Sequence, residues 1–186
     1  MIDTLLERFD GVLLLVPAVH FEKQIQFPRN ATLEQRLDML TILANRKGDR
    51  IAVGLAHEVL FIRLADCLRQ RFPNTAISFG MGNETYERVL ASKAYYERLG
   101  LAWNEQDQAK LEQLQKVIVV FGRSSNGDGV ISVPEDMRGI SSTLVRETIK
   151  ELQRTSASEK IWQARLATMI SPDILKFVRQ KGLYHE

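Results

Sequence analysis

Val12-Leu13-Leu14-Leu15-Val16-Pro17 is an unbroken apolar run closed by a proline. A strand with one wet face alternates apolar and polar residues. A run without alternation reads as a strand buried on both faces, the habit of parallel sheets layered between helices. Three further runs have a similar character: Ile51-Ala52-Val53-Gly54, Ala76-Ile77-Ser78-Phe79-Gly80 and Val117-Ile118-Val119-Val120-Phe121.

Helical signals fill the intervals. Ile2, Leu5, Leu6 and Phe9 share one face of a piece over 2–9, which Asp10-Gly11 ends. Thr32 with Gln35 three residues on is a capping box, opening a helix whose buried stripe is Leu33, Leu37, Leu40 and Ala44. A helix is predicted over 58–72, beginning near His57 and broken by Pro73-Asn74. Gly80-Met81-Gly82-Asn83-Glu84 opens another towards Arg98, ended by Gly100. Further helices are predicted over 106–115, 159–168 and 172–181. Val130–Val133 is a short strand before Pro134, and the Ser, Asn and Gly of 122–129 make a loop.

Strands alternating with helices imply an α/β fold, a doubly wound and mostly parallel sheet. The runs at 12–16, 51–54, 76–80 and 117–121 are expected to be parallel neighbours in one sheet, joined by right-handed crossovers. Ligands of such sheets bind beyond the carboxyl ends of the strands. The loops after Val16, Phe79 and Phe121 lie at that edge. Neither an internal repeat nor a low-complexity tract is evident, and residues 1–186 read as a single domain.

Composition narrows the function. The 186 residues are 45% hydrophobic and 26% charged, an ordinary globular mix. A net charge of +2 gives no electrostatic case for bulk binding of nucleic acid. Cys67 is the one cysteine, so neither an intrachain disulfide nor a thiolate metal cluster can form, which fits a reducing, cytoplasmic compartment. The 12–16 run is too short to span a membrane and follows Asp3, Glu7 and Asp10 rather than a basic segment, so no membrane partner is expected.

The chemistry gathers at Gly139-Ile140-Ser141-Ser142-Thr143-Leu144-Val145-Arg146-Glu147-Thr148-Ile149. Consecutive hydroxyl residues are poor helix interior and good N-cap material. Val145, Ile149 and Leu152 then repeat as one apolar stripe. A helix start with outward N–H groups is a ready anion site. Arg146 stands near the positive end of the helix dipole, where a cation costs about 0.3–1 kcal/mol unless an anion offsets it. An ordinary capped surface helix is the rival reading.

Separated pieces of the chain resemble one family. Ile140-Ser141-Ser142-Thr143-Leu144-Val145-Arg146 resembles the Ile-Ser-Ser-Thr-x-x-Arg signature of the nucleotidylyltransferase superfamily. Ile170-Ser171-Pro172 through Gly182-Leu183-Tyr184 is similar to the close of nicotinate and nicotinamide mononucleotide adenylyltransferases. Leu14-Leu15-Val16-Pro17 with Lys23 resembles their second strand and substrate loop. Phe79-Gly80-Met81-Gly82-Asn83-Glu84-Thr85, with Arg88 and Lys93-Ala94-Tyr95-Tyr96, resembles a branch with a Gly-x-Asp-Thr…Arg…Lys-Tyr-Tyr pattern. The resemblance implies a Rossmann-like nucleotidylyltransferase fold over the whole chain. It also implies transfer of AMP from ATP to a pyridine mononucleotide, with Mg²⁺, in dinucleotide synthesis.

There are two departures. The family's first strand carries Gly-x-Phe-Asp-Pro-x-His-x-Gly-His, and no such motif occurs here; His20, His57 and His185 lack the spacing to replace it. The expected sheet therefore lacks its first, central strand. Either the sequence given starts late at Met1, or the protein has diverged and lost the chemistry. The second departure is Glu84, one methylene longer than the family's aspartate.

The implied reaction needs no protein nucleophile, because the attacking phosphate is already an anion. Positioning and charge stabilisation carry it, and with the family's histidine motif absent no catalytic residue is identified. The resemblance places Ser141, Ser142, Thr143 and Arg146 at the ATP phosphates, Gly82 and Glu84 at the adenosine ribose, and Lys23 at the mononucleotide. Arg123, following a strand into a glycine-rich loop, is a further phosphate candidate. Arg88 reads as an ion-pair residue, and Trp103 and Trp162 as packing residues. A non-catalytic nucleotide-binding protein and a nucleotidyltransferase for another acceptor, such as phosphopantetheine or a cytidylyl acceptor, are the alternatives. Nicotinate against nicotinamide, and monomer against homo-oligomer, stay open.

Overall fold

The computed structural model of the chain describes residues 1–18, 30–122 and 130–184. In order, they form α1 (Ile2–Leu6), β1 (Val12–Pro17), α2 (Leu33–Lys47), β2 (Ile51–Ala56), α3 (Phe61–Arg71) and β3 (Phe79–Gly82). There follow α4 (Asn83–Leu90), α5 (Ser92–Arg98), α6 (Glu105–Gln115), β4 (Ile118–Gly122), β5 (Val130–Ser132) and a short 3-10 turn at Glu135–Met137. The chain closes with α7 (Ser142–Arg154), α8 (Glu159–Leu166) and α9 (Pro172–Gln180). The class is mixed α/β, as the alternation of signals implies. No helix among the described residues is long and apolar enough to cross a membrane.

The chain divides into two compact units, Met1–Leu5 with Ala56–Pro134, and Leu6–Leu55 with Glu135–Glu186. In the first unit β4 lies between β3 and β5, parallel to both. Phe79–Gly82 pair with Ile118–Phe121, and Val120–Gly122 with Val130–Ser132. Ile62 and Ala65 of α3, Met81 of β3, Val89 of α4, and Leu111 and Leu114 of α6 pack into one core. α5 ends at Gly100, whose φ of +68 lets the Gly100 N–H reach Glu97 O at 3.0 Å and the Leu101 N–H reach Tyr96 O at 2.9 Å. That is the left-handed cap a side chain would strain.

In the second unit the capping box forms as expected: Gln35 N–H donates to Thr32 Oγ1 at 3.2 Å, and Thr32 N–H to Gln35 Oε1 at 2.8 Å. Arg50 holds the turn before β1, its Nε and Nη2 donating to the carbonyls of Asp10, Leu6 and Phe9 at 2.8, 2.6 and 2.5 Å. The core joins Ile149 and Leu152 of α7, Trp162 and Leu166 of α8, Leu175 and Val178 of α9, and Leu183.

Three expectations are corrected. The apolar runs do not make one sheet: the described strands form a β1–β2 pair and a separate β3–β4–β5 set. Apolar character says that a strand wants burial, not which strand it meets; partners are chosen by packing of the whole. The strand expected at 76–80 lies at Phe79–Gly82, because pairing with β4 draws Gly80, Met81 and Gly82 into the ladder. The helix expected from Gly80 therefore starts at Asn83. Burial of the 12–16 run on both faces also fails at Leu13, which is 41% exposed, while Val16 is 4% exposed.

Candidate functional site

α7 begins where its hydroxyl residues require. Ser141 is the N-cap, in extended conformation, and its Oγ accepts from the Leu144 N–H at 3.1 Å. This cap uses one lone pair and leaves the Ser141 O–H as a donor. Ser142 and Thr143 form the first turn and are exposed. Their N–H groups have no intrahelical acceptor, as in any first turn. Arg146, one turn in and half-buried, sends Nη2 to Thr143 Oγ1 at 3.4 Å, a long hydrogen bond that brings the guanidinium back over the helix start. No acidic residue lies in that turn. Ser141, Ser142, Thr143 and Arg146 are thus brought together as one cluster of donors.

The apolar stripe behind fixes this cluster. Ile149 is fully buried, Leu152 is 2% exposed, and Val145 packs on the same core. One face of α7 is locked and the face carrying Ser142 and Thr143 is presented outward.

One residue outside the motif, Tyr184, lies within reach of the charge of Arg146. Tyr184 follows the fully buried Leu183, whose N–H donates to Val178 O at 3.0 Å and whose carbonyl accepts from Gln153 Nε2 at 3.1 Å. Tyr184 takes a left-handed backbone, φ +66, uncommon for a bulky residue and costing about 1–3 kcal/mol. Its ring packs on the second-unit core together with Met39 of α2 and Val145 of α7. Burial pushes the Tyr184 phenol up from its ordinary value, while the Arg146 and Arg36 charges oppose that rise. Arg36 lies on α2 one turn from Thr32, and its Nε is fully enclosed. The terminal Leu-Tyr was visible in the sequence only as part of the resemblance.

Gly82 and Glu84 belong to the first unit. Gly82 is the N-cap of α4, with φ −77, and a Cβ built on it would meet only Phe121 O, at 3.9 Å. Neither its backbone nor its neighbours demand glycine, so any need for one must come from something outside the chain. Glu84 is exposed in the first turn of α4, where a carboxylate complements the helix dipole. Lys23 and Arg123 lie outside the described residues. Trp103 packs on the first-unit core with its ring edge-on to Tyr96, and Trp162 is 5% exposed beneath Arg179, so both serve packing. Among the described residues no group of three or more His, Cys, Asp or Glu is placed to hold a metal ion.

No family model matches the chain, and no curated protein matches it.

Proposed function

We propose that the protein binds ATP through the start of α7 and works as an adenylyltransferase, joining AMP to nicotinamide or nicotinate mononucleotide and releasing pyrophosphate. One observation carries the reading: Arg146 turned back onto Thr143 above a Ser141-capped helix start. A cation there opposes the helix dipole when the site is empty and complements a polyphosphate when it is full. In the reaction a phosphate oxygen of the mononucleotide attacks the α-phosphorus, and the bond from that phosphorus to the pyrophosphate oxygen breaks. The hydroxyl, amide and guanidinium donors of α7 would hold the β- and γ-phosphates and the charge they gain on leaving. Mg²⁺ enters as the counter-ion that ATP carries, and no step here depends on it. The ribose roles of Gly82 and Glu84, and those of Lys23 and Arg123, rest on the sequence resemblance alone.

Arg146→Ala is expected to weaken ATP binding by about 1.5–3 kcal/mol, the value of a charge-assisted contact, while leaving folding unchanged or slightly firmer. Arg146→Lys keeps the charge, loses the planar fork and recovers part of the affinity. Calorimetric titration of ATP into the wild type and both variants reads the effect. Equal dissociation constants for a wild type that binds would remove Arg146 from the site.

A second reading is nucleotide binding without transfer, by the same helix start. Incubation with ATP and either mononucleotide separates the two. Dinucleotide and pyrophosphate in equal amounts support the enzyme, and binding without pyrophosphate supports the second reading.

A further inference from the structure

We propose that the Tyr184 hydroxyl donates to the phosphates held at the start of α7, and that Gln153 seats the chain end so that it can. The inference rests on the reading of α7 as a phosphate site and adds to it a neutral donor from outside the helix. Ser142, Arg146, Ile149 and Gln153 recur at i, i+4, i+7 and i+11, so they form one line along α7. The chain end is tied to the far end of that line. Gln153 Nε2 donates to the Leu183 carbonyl at 3.1 Å, the Leu183 N–H donates to Val178 O at 3.0 Å, and the Leu183 side chain has no exposed surface. Tyr184 is the next residue. Its ring packs against the core on which Val145, the chain neighbour of Arg146, also packs. The charge of Arg146 is felt at its phenol.

Tyr184 is half-buried, and its hydroxyl has no hydrogen-bond partner among the described residues, yet it is not sealed from solvent. A phenol in a partly buried place ordinarily finds an acceptor. Arg146 offers none, because a guanidinium only donates. A phosphate oxygen accepts from both. The phenol adds a donor without adding a second positive charge to a helix start whose dipole already disfavours one. Its side chain turns about two torsions, so holding it in place costs little entropy. Gln153 is a positioning residue here, acting through the Leu183 carbonyl and touching no ligand itself.

ATP is the probe, titrated calorimetrically into the full chain. Tyr184→Phe keeps the ring and removes the donor. It is expected to weaken ATP about three- to tenfold, the worth of one neutral hydrogen bond, with the urea midpoint unchanged. Gln153→Ala releases the Leu183 carbonyl. It is expected to weaken ATP by a similar factor alone, and by less than about twofold in the Tyr184→Phe background, because its effect passes through the hydroxyl. Tyr184→Phe affinity equal to the wild type, with Arg146→Ala weakened, overturns the proposal and leaves the phosphate reading standing. A lowered urea midpoint in Tyr184→Phe would make the hydroxyl a structural group and also overturn it. Equal Gln153→Ala losses in both backgrounds would show that Gln153 acts through stability alone and remove its positioning role. A wild type that does not bind ATP removes both readings.

Discussion

Ile149→Ala is expected to lower the unfolding free energy by about 2–5 kcal/mol, seen as an earlier midpoint in urea followed by circular dichroism. Ile149 has no exposed surface and sits at the centre of the stripe that joins α7 to α8, α9 and Leu183. Truncation removes three methylene-sized groups from a site ringed by other buried side chains, so collapse into the gap is limited and the cavity term adds to the transfer term. On the proposed function, a loosened Ile149 frees the face that aims Ser142, Thr143 and Arg146, so ATP affinity is expected to fall even below the unfolding midpoint. An unchanged midpoint would show that α7 is not seated on this core.

Leu114→Ala carries a similar cost, about 2–5 kcal/mol, in the first unit. Leu114 is fully buried near the end of α6, and its carbonyl accepts from the Val117 N–H at 3.1 Å, one residue before β4. It shares one buried cluster with Ile62 and Ala65 of α3, Met81 of β3 and Val89 of α4. The same denaturation measurement checks it. A change below about 0.5 kcal/mol, the size of an ordinary surface substitution, would contradict the burial.

Much of this fold is legible in local chemistry. The Thr32–Gln35 capping box, the Ser141 cap and the Val145–Ile149–Leu152 stripe depend on residues within one or two turns, and all three are as the sequence predicts. What failed was long-range or competitive. The helix expected to run from Gly80 to Arg98 breaks at Ala91, without glycine or proline. Ser92 explains it: its buried hydroxyl donates to Val89 O at 2.5 Å, competing for a helix carbonyl. The Gly-Met-Gly segment read as a helix-opening turn and became strand, since β4 supplies partners that override the local signal. Leu13 read as buried because it is apolar, but burial also needs a covering layer, which no run of residues can reveal about itself. Of the site, the α7 cluster was legible because it is contiguous. Tyr184 was not, because only the seating of the chain end on the core shared with α7 brings it there.

The central place of β4 sets how its backbone meets solvent protons. Val120 and Phe121 have strand neighbours on both sides, whereas the three residues of β5 have a described neighbour only in β4. An amide trades its hydrogen for deuterium only when its bond opens. Opening at β5 breaks one ladder, and opening in the middle of β4 disrupts two at once. In deuterium oxide the amides of Val120 and Phe121 should therefore outlast those of Val130 and Ile131. This short strand would keep a memory of its protons after its edges have lost theirs.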